Sequence, residues 1–399
     1  METDMDYTEK FFDEYRERRG TRSVKWDDYH SVFSLEPTEE VLPMWVADMD
    51  FAPPVEVTEA LAARAASGML GYTMVADSVY ESIINWIKRR HGWEIEKEWI
   101  VFTPGVVTGI NIAYQQFSNP GDGIIVQPPV YYPFMHGIRN NGRRQVINQL
   151  TETEAGYEMN LEELKKQIHS SKNKVLILCN PHNPVGKCWD ADTLEQVGCM
   201  CAENDVVLIS DEIHADLMMT GHKHQTVGTL SDKTRDQAIV FFAPSKTFNL
   251  AGLQTSYAVI PNAQIRHRFV NGMRSLGIFG PNTFGQIALE TAYTKCEGYV
   301  DAVCRYIDAN MNYMQSEIHA HLSGFSMRKA EGTYLAWVDA RGTGMSDDAL
   351  QEWTLRSARI GVDFGSWFGP GGEGFLRFNL ACPRETVTEA LRRMKEASE

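Results

Sequence analysis

The sequence predicts an α/β fold: a large domain built on a mostly parallel sheet with helices on both faces, and a smaller α/β domain at the C-terminal end. Three observations carry this. Short runs in the middle of the chain, Ile124–Gln127, Val175–Leu178, Val206–Ile209, Ala238–Phe242 and Ser256–Ile260, are continuously apolar instead of alternating, as strands covered on both faces require. Amphipathic helical stretches such as Leu161–Ile168 and Asp192–Cys201 lie between them. At 399 residues, the chain also exceeds what one ordinary core organises.

The elements follow in chain order. The run Trp99–Phe102 leads through Thr103-Pro-Gly-Val-Val-Thr108 into a helical pattern. Each later apolar run ends in a segment rich in turn or polar residues: Gln127-Pro-Pro-Val130 with Tyr131 and Tyr132, then Asn180-Pro-His-Asn-Pro-Val-Gly186, Ser210-Asp-Glu-Ile-His214 and Ala243-Pro-Ser-Lys-Thr-Phe-Asn-Leu-Ala-Gly252. One long helical pattern runs from about Asn282 to His321. Strand-like Gly332–Asp339 and Gly374–Asn379 follow, separated by helical Asp347–Arg359, and Arg384–Glu396 closes the chain as an amphipathic helix. Residues 286–399 are therefore expected to form the small domain, 53–285 the large one, and 1–52 to complete the small domain. No repeat, low-complexity tract or long Gly/Ser linker interrupts the chain.

A formal net charge of -15 argues against nucleic acid as a partner, because phosphate binding needs a basic footprint. No apolar run reaches the roughly 18 residues that would suggest a membrane span, and the acidic Met1–Asp6 lacks a signal-peptide pattern. A cytoplasmic protein is expected. The cysteines at 179, 188, 199, 201, 296, 304 and 382 form no Cys-x-x-Cys pair and read as reduced thiols. A metal site is not expected: His222 and His224 lie in a polar turn without clear acidic or thiol partners nearby.

Ligands of such sheets bind beyond the carboxyl ends of the strands, where the turn segments collect. Lys246 at one strand end can be partly desolvated, which lowers its pKa and makes its amine a nucleophile toward an aldehyde. Asp211 can stabilise a protonated pyridine nitrogen; the alternative is a helix N-cap. Asn183, stiffened by prolines on both sides, can donate to a phenolic oxygen, or simply make a turn. His214 can reach the same oxygen, or be a structural histidine. The backbone N–H groups of Gly105, Val106 and Val107 at a helix start suit a phosphate. Tyr131 and Tyr132 can stack on a ring. Arg377 suits an α-carboxylate, with a structural salt bridge as the alternative. An amine, a carboxylate and an amide at three strand ends are the equipment for pyridoxal 5'-phosphate.

The ordered set from Gly105 to Arg377 resembles the fold-type I pyridoxal-phosphate enzymes of the aspartate aminotransferase superfamily, over nearly the whole chain. That resemblance implies a seven-stranded large-domain sheet. It makes Lys246 the lysine that joins the cofactor, Asp211 the ring-nitrogen partner, Asn183 a partner of the phenolic oxygen, Tyr131 the stacking ring and Arg377 the carboxylate ligand. It also implies a homodimer with shared sites, in which Tyr72 reaches the neighbouring subunit's phosphate. Three positions depart from the common pattern: His214 replaces a tyrosine, Ala243 a serine, and Gln254 a phosphate-gripping arginine. Phosphate binding is then expected to lean on the helix-start amides, Tyr72 and the Ser245 or Thr247 hydroxyl. With Val24-Lys-Trp-Asp27 and Leu42-Pro-Met-Trp-Val-Ala-Asp-Met-Asp-Phe51, these departures resemble the MalY/PatB-type carbon-sulfur lyases. In that branch Val46 and Ala47 lie by the substrate carboxylate and Tyr132 beside the reacting amino acid. The implied activity is β-elimination of cystathionine or another cysteine S-conjugate, with Lys246 and Tyr132 as catalytic groups. Transamination and a cofactor-binding regulator with weak lyase activity are the competing expectations.

Overall fold

The computed structural model describes residues 7–399, so the acidic Met1–Asp6 segment lies outside the described residues. Its centre is a seven-stranded sheet in the order Ile100–Thr103, Ser256–Val259, Ala238–Phe242, Val207–Asp211, Asn173–Cys179, Gly123–Val126, Arg144–Ile147. Ser256–Val259 runs antiparallel to both of its neighbours, and the other pairings are parallel.

The continuous apolar runs have a direct explanation. Successive strand residues point to opposite faces, and here each face has its own cover. Ile124, Val126, Val175, Ile177, Ile209, Ile239 and Phe241 pack with Val106, Ile110 and Ala113 of the Val106–Phe117 helix. Ile125, Leu176, Leu178, Leu208, Val240 and Phe242 belong to the other core, which continues into the C-terminal part of the chain. The edge strand Arg144–Ile147 is mostly unburied and carries no such run, so nothing in its sequence marks it as a strand of this sheet.

The C-terminal part contains a second, antiparallel sheet in the order Ser326–Met327, Leu335–Asp339, Phe375–Asn379, Asp363–Phe364. The N-terminal Leu42–Pro43 pairs in parallel with Ile360–Gly361, which ties the first fifty residues to this region. The pattern from Asn282 to His321 is two helices, Thr283–Lys295 and Glu297–His321, broken where Cys296 leaves helical dihedrals at φ -115 and ψ 28. Both helices bury apolar residues, so hydrophobic periodicity continues across the break. Asp347–Glu352 likewise passes into a π-helical turn, Trp353–Ser357, and ends before Arg359 at φ 54. Among the described residues, no helix is long and apolar enough to cross a membrane.

Candidate functional site

The carboxyl ends of the parallel strands open onto a cavity of about 220 Å³. Of the residues singled out in the sequence, Ala47, Gly105, Val106, Val107, Tyr131, Asn183, Asp211, His214, Ser245 and Lys246 line it. Val46, Tyr132 and Arg377 stand next to this wall without lining it, and Tyr72 is fully exposed away from it.

The strand Ala238–Phe242 is followed by a short helix, Pro244–Thr247, which presents Lys246 to the cavity. Its Nζ donates to the Ala47 carbonyl at 2.6 Å. Burial pushes this amine down to about 8, with the Arg377 charge acting in the same sense and Asp48 and Asp211 opposing it. A neutral amine is thereby accessible near neutral pH.

Asp211 ends the strand Val207–Asp211 and is followed by a turn, so the N-cap alternative does not hold. Its Oδ1 accepts from the Ile213 N–H at 3.1 Å. Burial pushes its carboxyl up to about 7, against that hydrogen bond and the Lys246 charge. His214 is also buried and its Nδ1 has no partner. Burial, then the charges of Lys246 and Arg377, hold its imidazole well below the usual histidine range, so it is neutral.

Asn183 Oδ1 accepts from Arg377 Nη1 at 3.1 Å, which leaves the amide N–H₂ as the donating end. Arg377 also donates to the Trp45 carbonyl at 3.0 Å and is ion-paired with buried Asp363, while its Nε has no partner. The salt-bridge alternative for Arg377 is thus part of its geometry. Asp363, a lone acid in the apolar run Val362-Asp-Phe364, was not recognised in the sequence. Tyr131 donates its backbone N–H to the Asn183 carbonyl at 2.9 Å, which couples two walls of the cavity. Behind it the Tyr132 ring packs edge-on to Phe368 and Trp367, with centroids 5.6 and 6.2 Å away.

At the opposite end the helix Val106–Phe117 points its N-terminus into the cavity. Gly105 precedes it at φ 92, and a Cβ there would approach Gln254 Oε1 to 3.1 Å. The N–H of Gly105 is committed to the Thr103 carbonyl at 2.9 Å, contrary to its expected role as a donor. The helix's first internal bond runs from the Gly109 N–H to the Gly105 carbonyl, which leaves the Val106, Val107 and Thr108 N–H groups as donors at the helix start. Ser245 and Gln254 line this end too. Thr247 does not: its hydroxyl donates to buried Asp216 at 2.9 Å, which removes it from the expected phosphate ligands.

Another expectation is corrected at His224, which is buried and bonded to Glu212 Oε2 at 2.7 Å. The chain returns this turn to the Ser210–Glu212 strand end, a long-range contact that local spacing could not show. Among the described residues, no group of three or more His, Cys, Asp or Glu side chains could hold a metal.

The family model described as aminotransferase class I and II matches residues 39–394. The chain is 42% identical to the cystathionine beta-lyase PatB of Bacillus subtilis (strain 168), over 97% of this chain and 99% of that one. Among solved structures, cystalysin from Treponema denticola, which contains pyridoxal 5'-phosphate, is 36% identical with a TM-score of 0.93, covering 97% of this chain and 98% of its own. The pyridoxal-phosphate-bound C-S lyase from Staphylococcus hominis is 30% identical with a TM-score of 0.88, covering 97% of each chain.

Proposed function

We propose that this chain, which belongs to the aminotransferase class I and II family, is a pyridoxal-phosphate-dependent carbon-sulfur β-lyase acting on cystathionine or other cysteine S-conjugates. The single observation that carries the site assignment is the cavity in which Lys246, Asp211 and Asn183 meet a helix N-terminus.

The residues present fit the cofactor. Asp211 is a buried carboxyl with one backbone donor, and a protonated ring nitrogen would supply the missing counter-charge. The Asn183 amide and neutral His214 would serve the phenolic oxygen. Tyr131 would stack on the ring. The Val106 and Val107 N–H groups, with Ser245, would hold the phosphate without an arginine. When bound, pyridoxal phosphate supplies an aldehyde that takes up the substrate nitrogen and an electron-poor ring that draws electrons from Cα.

In this reading the substrate carboxylate would reach Arg377 behind the cavity wall, where the Nε has no partner and the Nη groups are held by Asn183, Trp45 and Asp363, and that anchor would turn the Cα–H bond toward Lys246. The neutral Lys246 amine takes the Cα proton. The Cβ–S bond then breaks, and sulfur leaves with the electron pair. Lys246 or Tyr132 returns a proton to the thiolate. Burial pushes the Tyr132 hydroxyl up to about 12, with the Asp363 charge adding to it, so it is a donor at neutral pH. Water converts the remaining three carbons to pyruvate and ammonia, so one conjugate and one water give one thiol, one pyruvate and one ammonium ion.

We also propose a cytoplasmic homodimer. Met69, Leu70, Tyr72 and Met74 expose a run of large apolar side chains beside the family's expected subunit contact, which supports the dimer. The free thiols of Cys179, Cys188, Cys199, Cys201, Cys304 and Cys382 support a reducing compartment. The test of the activity is incubation with a panel of cysteine conjugates, following thiol and pyruvate in equal amounts. Turnover only when a 2-oxo acid is added, without thiol release, would assign transamination instead.

A further inference from the structure

The Ala47 carbonyl accepts two hydrogen bonds, from Lys246 Nζ at 2.6 Å and from the Tyr334 hydroxyl at 2.7 Å. Both lone pairs of one carbonyl are thereby used. Tyr334 is fully buried, and its ring packs edge-on to that of His214, with centroids 5.6 Å apart. Burial holds its hydroxyl well above the usual tyrosine range, so toward Ala47 it is a fixed donor.

The surroundings place this donor tightly. Thr333, directly before it, is a buried β-branched residue at φ 73, a conformation that persists only where neighbours impose it. Its N–H is held by the Leu217 carbonyl at 2.8 Å, and its hydroxyl accepts from the Leu335 N–H at 3.1 Å. The acceptor is placed just as tightly. Arg377 donates to the Trp45 carbonyl, Asn379 to those of Val46 and Asp48, and Asn249 to that of Met49. Every carbonyl from Trp45 to Met49 is gripped, and the one that Tyr334 grips also receives the lysine.

We propose that Tyr334 is a positioning residue for Lys246: by fixing the Ala47 carbonyl, it parks the lysine amine at the cavity wall whenever that amine is not joined to cofactor. The proposal rests on Lys246 being the group that moves the Cα proton. It makes the small antiparallel sheet, where Tyr334 precedes the strand Leu335–Asp339, part of the lysine's environment. The charged and titratable groups about the amine are Asp48, Asp211 and Arg377, with neutral His214 alongside.

The test is Tyr334→Phe, which keeps the ring and removes only the hydroxyl. In the loaded enzyme kcat is expected to fall roughly ten- to hundredfold, with KM changed by no more than about twofold. The isotope effect from deuterium at the substrate Cα should rise, because proton removal becomes slower. In full-length protein prepared without cofactor, the pH midpoint for acylation of Lys246, read by peptide mass spectrometry, should fall by about half a unit or more, because the Ala47 carbonyl, no longer held by the hydroxyl, moves out of line with the ammonium. An unchanged midpoint, or a lower kcat with an unchanged isotope effect, overturns the proposal and leaves Tyr334 a packing residue. Lys246→Ala separates the two claims. Wild-type elimination in that variant defeats the reading of Lys246 as the base, whereas the labelling midpoint in Tyr334→Phe tests the parking contact without reference to turnover.

Discussion

Asp211 and Lys246 show one physical effect with opposite signs: burial penalises the charged form of each, pushing the carboxyl up to about 7 and the amine down to about 8. For Lys246 the consequence is chemical, since a neutral amine can accept a proton. Lys246→Ala is expected to cut elimination by about 10²- to 10⁴-fold, measured as pyruvate release. For Asp211 the consequence is also thermodynamic. Its folded pKa lies above the ordinary 3.8, so the protonated form is the one folding favours. The resulting penalty is absent at low pH and grows as pH rises from near 3.8 toward about 7. Asp211→Asn should therefore stabilise cofactor-free protein at pH ~8, by roughly 1–3 kcal/mol in urea denaturation, and leave it unchanged at pH ~4. If Asp211 is the partner of the cofactor's ring nitrogen, as proposed, the same variant should lower elimination about 10²- to 10³-fold through loss of that anion. A site that is costly without its ligand and effective with it accounts for both results.

The elements around the cavity act through the contacts that aim them. The Val106–Phe117 helix approaches the sheet closely at Gly109, where a Cβ would come within 2.4 Å of Phe241 Cε1. Gly109→Ala is expected to cost about 1–3 kcal/mol and to weaken cofactor retention through the displaced helix start, read by urea denaturation and by dialysis of loaded protein. The N-terminal segment depends on a buried pair: Lys25 Nζ lies 2.5 Å from Asp50, which Trp26 and Arg18 also bind. Lys25→Ala should cost about 3 kcal/mol by removing one partner of that pair. These contacts mark the limit of what the sequence made legible. Strand ends bearing Lys246, Asp211 and Asn183 could be read because each follows an apolar run with a turn segment. Tyr334 could not, since it meets Ala47 from far away in the chain, and Asp363–Arg377 and Glu212–His224 could not, since strand pairing and a returning loop set them face to face. The break at Cys296 was hidden for another reason: apolar stripes on two successive helices look like one.

At the scale of the whole molecule, a parallel sheet that gathers the proposed cofactor ligands meets an N-terminal segment and a small sheet beside the lysine. The proposed homodimer would add a second subunit to each site. If Tyr72 of each subunit completes its partner's site, mixing Tyr72→Ala with Lys246→Ala protein should regenerate about a quarter of the wild-type sites, seen as recovered pyruvate production. No recovery after subunit exchange would make each site self-contained. The most direct measurement of the central claim is product formation from cystathionine by the purified, cofactor-loaded protein with no 2-oxo acid present. A carbon-sulfur lyase will release thiol, pyruvate and ammonia in equal amounts and without pause. Formation of a 2-oxo acid that retains the sulfur, with turnover halting until an amino-group acceptor is added, would contradict it.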